Sequence, residues 1–525
     1  MDAGPVGHRR GEYGRRVTLG RMRRWELALS LDPARPQPLF LQLAQAVTDD
    51  IRRGRLKPGE ALPGTRELAA LLGVNRNTVV AGYAELAAEG LVQTRVGGGT
   101  FVAPPLPAPS SPAPVPEQAP TYELAPPLPA PPPYPAPLAG ALAICHGVPD
   151  VRLFPAQALV RAFRRAIGQR QRSSLGALDA CGHPRLRAEL ATMLARTRGL
   201  PVTPDNLMVT RSIEQAIDLV ARVLVRPGDV VAVEAFGYPP AWSVLELAGA
   251  RLLPLPLDHD GLDVDALQAL LPRQRIRAVF LTPHHQFPTT VVMSAARRAR
   301  LARLAVEHGF AIIEDDYDHE FHYAGKPVLP IAAGPDRANV VYVGSLSNLL
   351  APGVSTAFVI APPAVFPRLA GLRAASDARG DAAMECALAE LFEDGELLRH
   401  MRRMRRAYAT RRDVLAEALR TQLGGAVRFR VPDGGMGLWL EVDGDIDLSA
   451  WSAAGEREGV QFFSAGRYDF QRRPQPYMRL GFSYLDEREL AEAVRRMARA
   501  LASLRPGAVP LRRGHAAALA ALSAT

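Results

Sequence analysis

Phe310 to Tyr323 reads FAIIEDDYDHEFHY, four residues of apolar or strand-forming type running straight into a cluster of acids, aromatics and histidines. Ala311 to Glu314 is read as a buried strand, and Asp315, Asp316 and Tyr317 then fall at its C-terminal end. Working outward, Val230 to Glu234, Ala278 to Thr282 and Val340 to Val343 are similar short runs, separated by amphipathic helical stretches. This alternation implies an α/β unit with a largely parallel sheet. Ligands of such sheets gather beyond the C-terminal strand ends. The polar strings lie there: His284-His285-Gln286 after one strand, Asp315-Asp316-Tyr317 after another and Ser345-Leu346-Ser347 after a third.

The chain has 525 residues, too many for one core, and its 48% hydrophobic and 22% charged content is that of a folded globular protein. No apolar run is long enough to span a bilayer, and the basic start lacks a secretory apolar core, so a cytoplasmic protein is expected. Cys145, Cys181 and Cys386 suggest neither a disulfide framework nor a zinc spacing. Between Pro104 and Pro137, 16 of 34 residues are proline, the composition of a semi-rigid spacer. The predicted organisation is therefore a disordered basic head over 1–35, a small module over 36–102, a Pro/Ala-rich linker over 103–142, a large domain over 143–505 and a disordered tail over 506–525. Net charge is +10, and residues 1–102 contribute half of that excess, which is compatible with a nucleic-acid partner.

In the small module, Pro38 to Arg53 carries an apolar stripe at helical spacing, and Thr65 to Leu72 forms a second helix ended by Gly73. Asn75 can cap a third helix. Leu91 to Arg95, the glycines Gly97-Gly98-Gly99 and Thr100 to Val102 read as a hairpin, which completes a winged helix-turn-helix. Asn75, Arg76, Asn77 and Thr78 would enter a major groove, Thr65 and Arg66 would meet the backbone or a base, and Gly98 would let the wing approach a minor groove. The pattern over residues 38–102 resembles the GntR family of bacterial regulators, with Gly64 where that family usually has serine.

A carboxylate, a phenol and hydroxyls at converging strand ends suit a pyridine nitrogen, a ring oxygen and a phosphate. A metal reading of Asp315, Asp316, His319 and His322 competes less well, and no metal is assigned. From Gly147 to about Leu504 the strings RPGDVVAVEAFGYPPAW, TPHHQFPTT, FAIIEDDYDHEFHY, VVYVGSLSNLLAPG and MRLGFSYLDEREL resemble fold-type I aminotransferases, a mainly parallel sheet with a smaller C-terminal α+β subdomain. With its GntR-like front, the chain resembles the MocR/GabR-type regulators. That resemblance implies a homodimer on a double-stranded DNA operator, a small amino acid or amine effector, and pyridoxal 5'-phosphate (PLP) as the family's cofactor.

It also implies residue roles. Asp315 would pair with the pyridine nitrogen of PLP, Tyr317 would face its ring oxygen, and Tyr238 would stack on its plane. His285, Ser345 and Ser347 would complete the pocket, and Arg479 would take an effector carboxylate. Where the family has its Schiff-base lysine, this chain has Asn348, and an amide nitrogen is not a nucleophile, so no covalent aldimine is expected. Only two lysines exist, Lys57 and Lys326, and neither is an obvious substitute. Ser355 stands where the family has a phosphate-binding arginine, Ser212-Ile213-Glu214 replaces a glycine-serine-glutamine helix start, and Ala177 falls at a tyrosine supplied by the partner subunit. The reading is a regulator with a catalytically inactive aminotransferase-like domain serving as ligand sensor or dimerisation scaffold. A regulator that binds PLP noncovalently is the alternative, and a working aminotransferase is the third.

Overall fold

The computed structural model describes residues 31–33, 35, 37–95, 98–104, 136–145, 147–168 and 179–504. Gly97, Ala177, the tail, nearly all of the head and most of the linker lie outside the described residues. Two compact units divide within the proline-rich segment, Met1–Ala125 and Pro126–Thr525.

The first unit has helices Leu39–Arg52, Thr65–Leu72 and Arg76–Ala88, followed by strands Val92–Arg95 and Gly99–Val102. Its core is Leu43, Val47, Leu68, Val79, Leu86 and their neighbours, the apolar stripes of three helices turned inward. Gly73 ends the second helix in the left-handed region at φ 65°, where a side chain would be strained. Asn75 caps the third, its side chain accepting from Asn77 N at 2.9 Å. The two strands pair antiparallel from Val92↔Val102 to Arg95↔Gly99.

The second unit is built on a seven-stranded sheet. Its spatial order is Leu207–Thr210, Ala357–Ile360, Val340–Ser345, Ala311–Asp316, Ala278–Leu281, Val230–Glu234 and Arg251–Leu255. Ala357–Ile360 runs antiparallel to both neighbours and every other adjacent pair is parallel. Helices cover both faces, so the strands are buried on both sides and read as continuous apolar runs. Alternation along each strand sends consecutive residues to different cores: Ile312 belongs to one and Ile313 to the other. The smaller C-terminal part has a three-stranded antiparallel sheet of Val427–Phe429, Gly437–Val442 and Tyr477–Gly481, with helices Glu396–Leu423, Leu448–Arg457 and Glu487–Ser503.

Some boundaries differ from the sequence reading. Asp315 and Asp316 are the last two residues of their strand and not the start of a loop, and Ser345 likewise ends its strand. Their backbones complete the parallel ladder at Asp315↔Val343 and Asp316↔Gly344, which outweighs the weak strand propensity of aspartate. Leu142, placed at the end of the linker, opens a two-residue strand that pairs with Val460–Gln461.

Candidate functional site

The carboxyl of Asp315 lies on the sheet face that packs against helix Ile213–Leu224, and it is 2% exposed. Its Oδ1 has no protein partner. Burial above all, and then the neighbouring carboxylates of Asp316 and Glu214, hold it well above the ordinary carboxylate range. Tyr317 donates its hydroxyl to the main-chain oxygen of His285 at 3.0 Å. Tyr238, at the N-terminus of helix Pro239–Leu247, donates to Glu214 Oε1 at 2.7 Å.

Phe287 joins these groups. Its ring meets Tyr238 edge-on with centroids 5.5 Å apart and Tyr317 at 5.9 Å. The guanidinium of Arg479 stands 5.2 Å from its centroid. The sequence reading does not single Phe287 out, although it lies in the quoted TPHHQFPTT string that follows Ala278–Leu281. Arg479 itself, on strand Tyr477–Gly481, is 4% exposed, and among the described residues no carboxylate lies within ion-pair distance of it. Gly147 packs beside it: a Cβ there would lie 2.2 Å from an Arg479 guanidinium nitrogen and would displace that group.

The hydroxyls form a chain of their own. Ser345 Oγ donates to Ser347 Oγ at 2.9 Å, and Ser347 Oγ shares a hydrogen bond with Ser355 Oγ at 2.9 Å. Asn348 donates its side-chain N–H to the main-chain oxygen of Tyr317 at 3.1 Å. Ser212 caps helix Ile213–Leu224 by accepting from Gln215 N, and Glu214 occupies the first turn. Lys326 is exposed in the irregular segment that follows Tyr323.

Asp316 belongs to the other face of the sheet. It accepts from Tyr342 Oη at 2.5 Å, contacts His319 Nδ1 at 2.9 Å and lies 3.6 Å from Arg198. Burial works against its charge, but His319 and Arg198 outweigh it and hold the carboxyl well below the usual range. His285, placed with the pocket by sequence, reaches it through its main-chain carbonyl; its ring pairs with Asp318 Oδ1 at 2.7 Å. The metal set of the sequence reading is not assembled as written, because Asp315 and Asp316 project from opposite faces. A different set of histidines meets on the Asp316 side, His284, His285 and His322. Burial holds the His284 imidazole far below its ordinary basicity.

In the small unit, Arg66, Asn75, Arg76, Asn77 and Gly98 are exposed, and Thr65 and Thr78 are half-buried. Arg76 Nε approaches Thr65 Oγ1 at 3.4 Å, so the starts of the second and third helices lie side by side. Gly64 leaves the second helix without a side-chain cap.

Residues 144–508 match the model of aminotransferase class I and II, and residues 39–102 match that of the bacterial regulatory proteins of the gntR family. The chain belongs to the GntR-type regulators that carry an aminotransferase class I and II domain. The probable rhizopine catabolism regulatory protein MocR of Rhizobium meliloti is 31% identical over 93% of this chain and 99% of its own length. The HTH-type transcriptional regulator TauR of Rhodobacter capsulatus is 30% identical over 90% of this chain and 98% of its own. Among solved structures, LysN, the alpha-aminoadipate aminotransferase of Thermus thermophilus complexed with N-(5'-phosphopyridoxyl)-L-leucine, matches with TM-score 0.64 and 29% identity, over 70% of this chain and 93% of its own. The two-part plan expected from sequence, a winged helix-turn-helix and an aminotransferase fold, is thus the plan of this family, and the fold is PLP-dependent in its enzymes.

Proposed function

We propose that this protein is a cytoplasmic transcriptional regulator that binds a DNA operator as a homodimer, and that its aminotransferase-like domain does not catalyse but senses a small ligand or serves as the dimerisation scaffold. The observation that carries this reading is Asn348. Its amide is tied to the Tyr317 carbonyl at 3.1 Å and has no nucleophilic lone pair to offer an aldehyde.

The residues present fit one end of PLP and not the other. A buried Asp315 with a partnerless Oδ1 suits a pyridine nitrogen, and Tyr238, Phe287 and Tyr317 suit an aromatic ring. At the phosphate end, Ser355 is bonded to Ser347 where an arginine is wanted, and Glu214 brings a carboxylate to the first turn of the helix that would face the dianion. No reaction step is therefore assigned to the group. The buried, carboxylate-free Arg479 supports recognition of a ligand carboxylate, for which a planar guanidinium offers two parallel donors. Thr65, Arg66, Asn75, Arg76, Asn77, Thr78 and Gly98 are the proposed DNA contacts, with two modules of a dimer reading two half-sites.

A second reading, PLP as a noncovalent effector, is favoured by Asp315, Tyr317 and Tyr238 and opposed by Ser355 and Glu214. Purified full-length protein mixed with PLP, followed by its visible spectrum, borohydride reduction and mass mapping, separates the readings. No binding supports the first, and saturable binding without labelling selects the second. A reducible adduct on Lys326 would overturn both and point to transamination.

A further inference from the structure

Four imidazoles meet on the side of the sheet occupied by Asp316. His284 and His285 follow strand Ala278–Leu281, and His319 and His322 follow Ala311–Asp316. Ring centroids of His284 lie 4.2 Å from His285, 4.3 Å from His319 and 5.9 Å from His322, and His285 lies 6.0 Å from His322. One nitrogen from each of His284, His285 and His322 falls within 4.8 Å of the other two.

These rings are poorly matched to one another as hydrogen-bonding groups and well matched to a shared cation. His284 is 2% exposed and His285 1%, yet neither nitrogen of His284 nor Nε2 of His285 has a protein partner. The opposite nitrogen of His285, Nδ1, is held by Asp318 Oδ1 at 2.7 Å, which directs the lone pair of Nε2 away from the carboxylate. A carboxylate behind an imidazole in this way is the usual outer support of a metal-binding histidine. Asp316 holds His319 Nδ1 in the same manner at 2.9 Å. Gly434 packs against this ring, and a Cβ there would lie 2.1 Å from Nε2, so only glycine leaves that nitrogen unobstructed by a side chain.

We propose that His284, His285 and His322 bind a divalent transition-metal ion of the zinc type. An all-imidazole set excludes magnesium and calcium, which require oxygen donors. Tetrahedral zinc with bonds of about 2.0–2.1 Å brings its nitrogens to roughly 3.4 Å from one another, so a set spread over 4.8 Å must close by up to about 1.4 Å. His322 is the least buried of the three. His319, stacked on His284, lies against the site. The bound ion joins the loop after Ala278–Leu281 to the loop after Ala311–Asp316. Nothing in this assignment depends on PLP or on the sensor role.

The test uses full-length protein stripped with a chelator, then titrated with Co²⁺ alone and with Zn²⁺ in competition. One equivalent of Co²⁺ produces the visible bands of a low-symmetry, nitrogen-bound ion, Zn²⁺ abolishes them, and Zn²⁺ raises the unfolding temperature of the wild type. His322→Ala, at a half-buried position, weakens uptake by about 100-fold or more, and Asp318→Asn weakens it by roughly 10- to 100-fold. Circular dichroism establishes that each variant is folded. Absence of stoichiometric uptake by the wild type overturns the proposal, as does undiminished uptake by folded His322→Ala and His284→Gln.

Discussion

Asp315 and Asp316 are consecutive in one strand, and their carboxyls lie on opposite faces of the central sheet with acidities shifted in opposite directions. Burial among acids pushes the Asp315 carboxyl well above the ordinary range, whereas His319 and Arg198 hold that of Asp316 well below it, against burial. Strand alternation alone separates them. The first shares its side with Glu214 and the Tyr238 bonded to it, the second with the histidines. Two chemically unlike environments therefore share one dipeptide.

Asn348→Lys by itself should give little recovery of PLP binding, because Ser355 and Glu214 still face the phosphate. Adding Ser355→Arg supplies a charge-assisted hydrogen bond worth about 1.5–3 kcal/mol, an affinity gain of roughly tenfold or more. Absorbance titration with borohydride trapping measures both. Full restoration by Asn348→Lys alone would show that the serine chain serves phosphate adequately.

Arg479→Met should cost the folded protein little, since the guanidinium is buried without a carboxylate partner. The same change should abolish any rise in unfolding temperature produced by amino acids in a thermal-shift panel. A ligand whose stabilisation survives in Arg479→Met does not use this residue.

Arg76→Ala should weaken binding to a DNA fragment selected by the protein, by about 1–3 kcal/mol if Arg76 reads a base edge. Fluorescence anisotropy at several salt concentrations distinguishes the roles. A phosphate contact lowers the salt slope and affects all sequences alike, while a base contact removes preference at one position. Unchanged affinity would show that the third helix is not the reading element.

Burial pushes Glu234 up to about 7 from its ordinary 4.5, although it accepts from Thr282 N and Oγ1 at 3.1 and 2.8 Å. The folded state therefore binds a proton that the unfolded state has released, so stability falls as pH rises from about 4.5 to 7. The full effect is at most about 3 kcal/mol. Glu234→Gln keeps an acceptor and removes the proton, so it should lessen the fall in denaturant-derived stability across that window, with the remainder coming from Glu314, which burial also pushes up to about 7. An unaltered slope would place the linkage elsewhere.

The fold was legible because its signals are local. Proline punctuates residues 104–137, Gly73 stops a helix by geometry, and the strand cores at Val230, Ala278, Ala311 and Val340 are short apolar runs with polar ends. The pocket was legible in part for the same reason, since Asp315, Tyr317, Ser345 and Ser347 sit at those ends. What failed to show in sequence depends on three-dimensional convergence. Phe287 gains its importance only by touching Tyr238, Tyr317 and Arg479 at once. Of the histidines that meet, His322 was offered by sequence through His319-x-x-His322, but His284 and His285 join it from the adjacent strand end only in three dimensions, while Asp315 and Asp316 of the same metal reading are divided by the sheet. Glu214 is legible as an unwelcome acid, but its bond to Tyr238 is not.

The short pairing of Leu142–Ala143 with Val460–Gln461 is continued by Gly481 N, which donates to Ile144 O at 2.7 Å. The strand bearing Arg479 is thereby stitched to the stretch that follows the prolines, and Gly147 touches the guanidinium itself. Few bonds therefore separate Arg479 from the point where the chain enters the large domain.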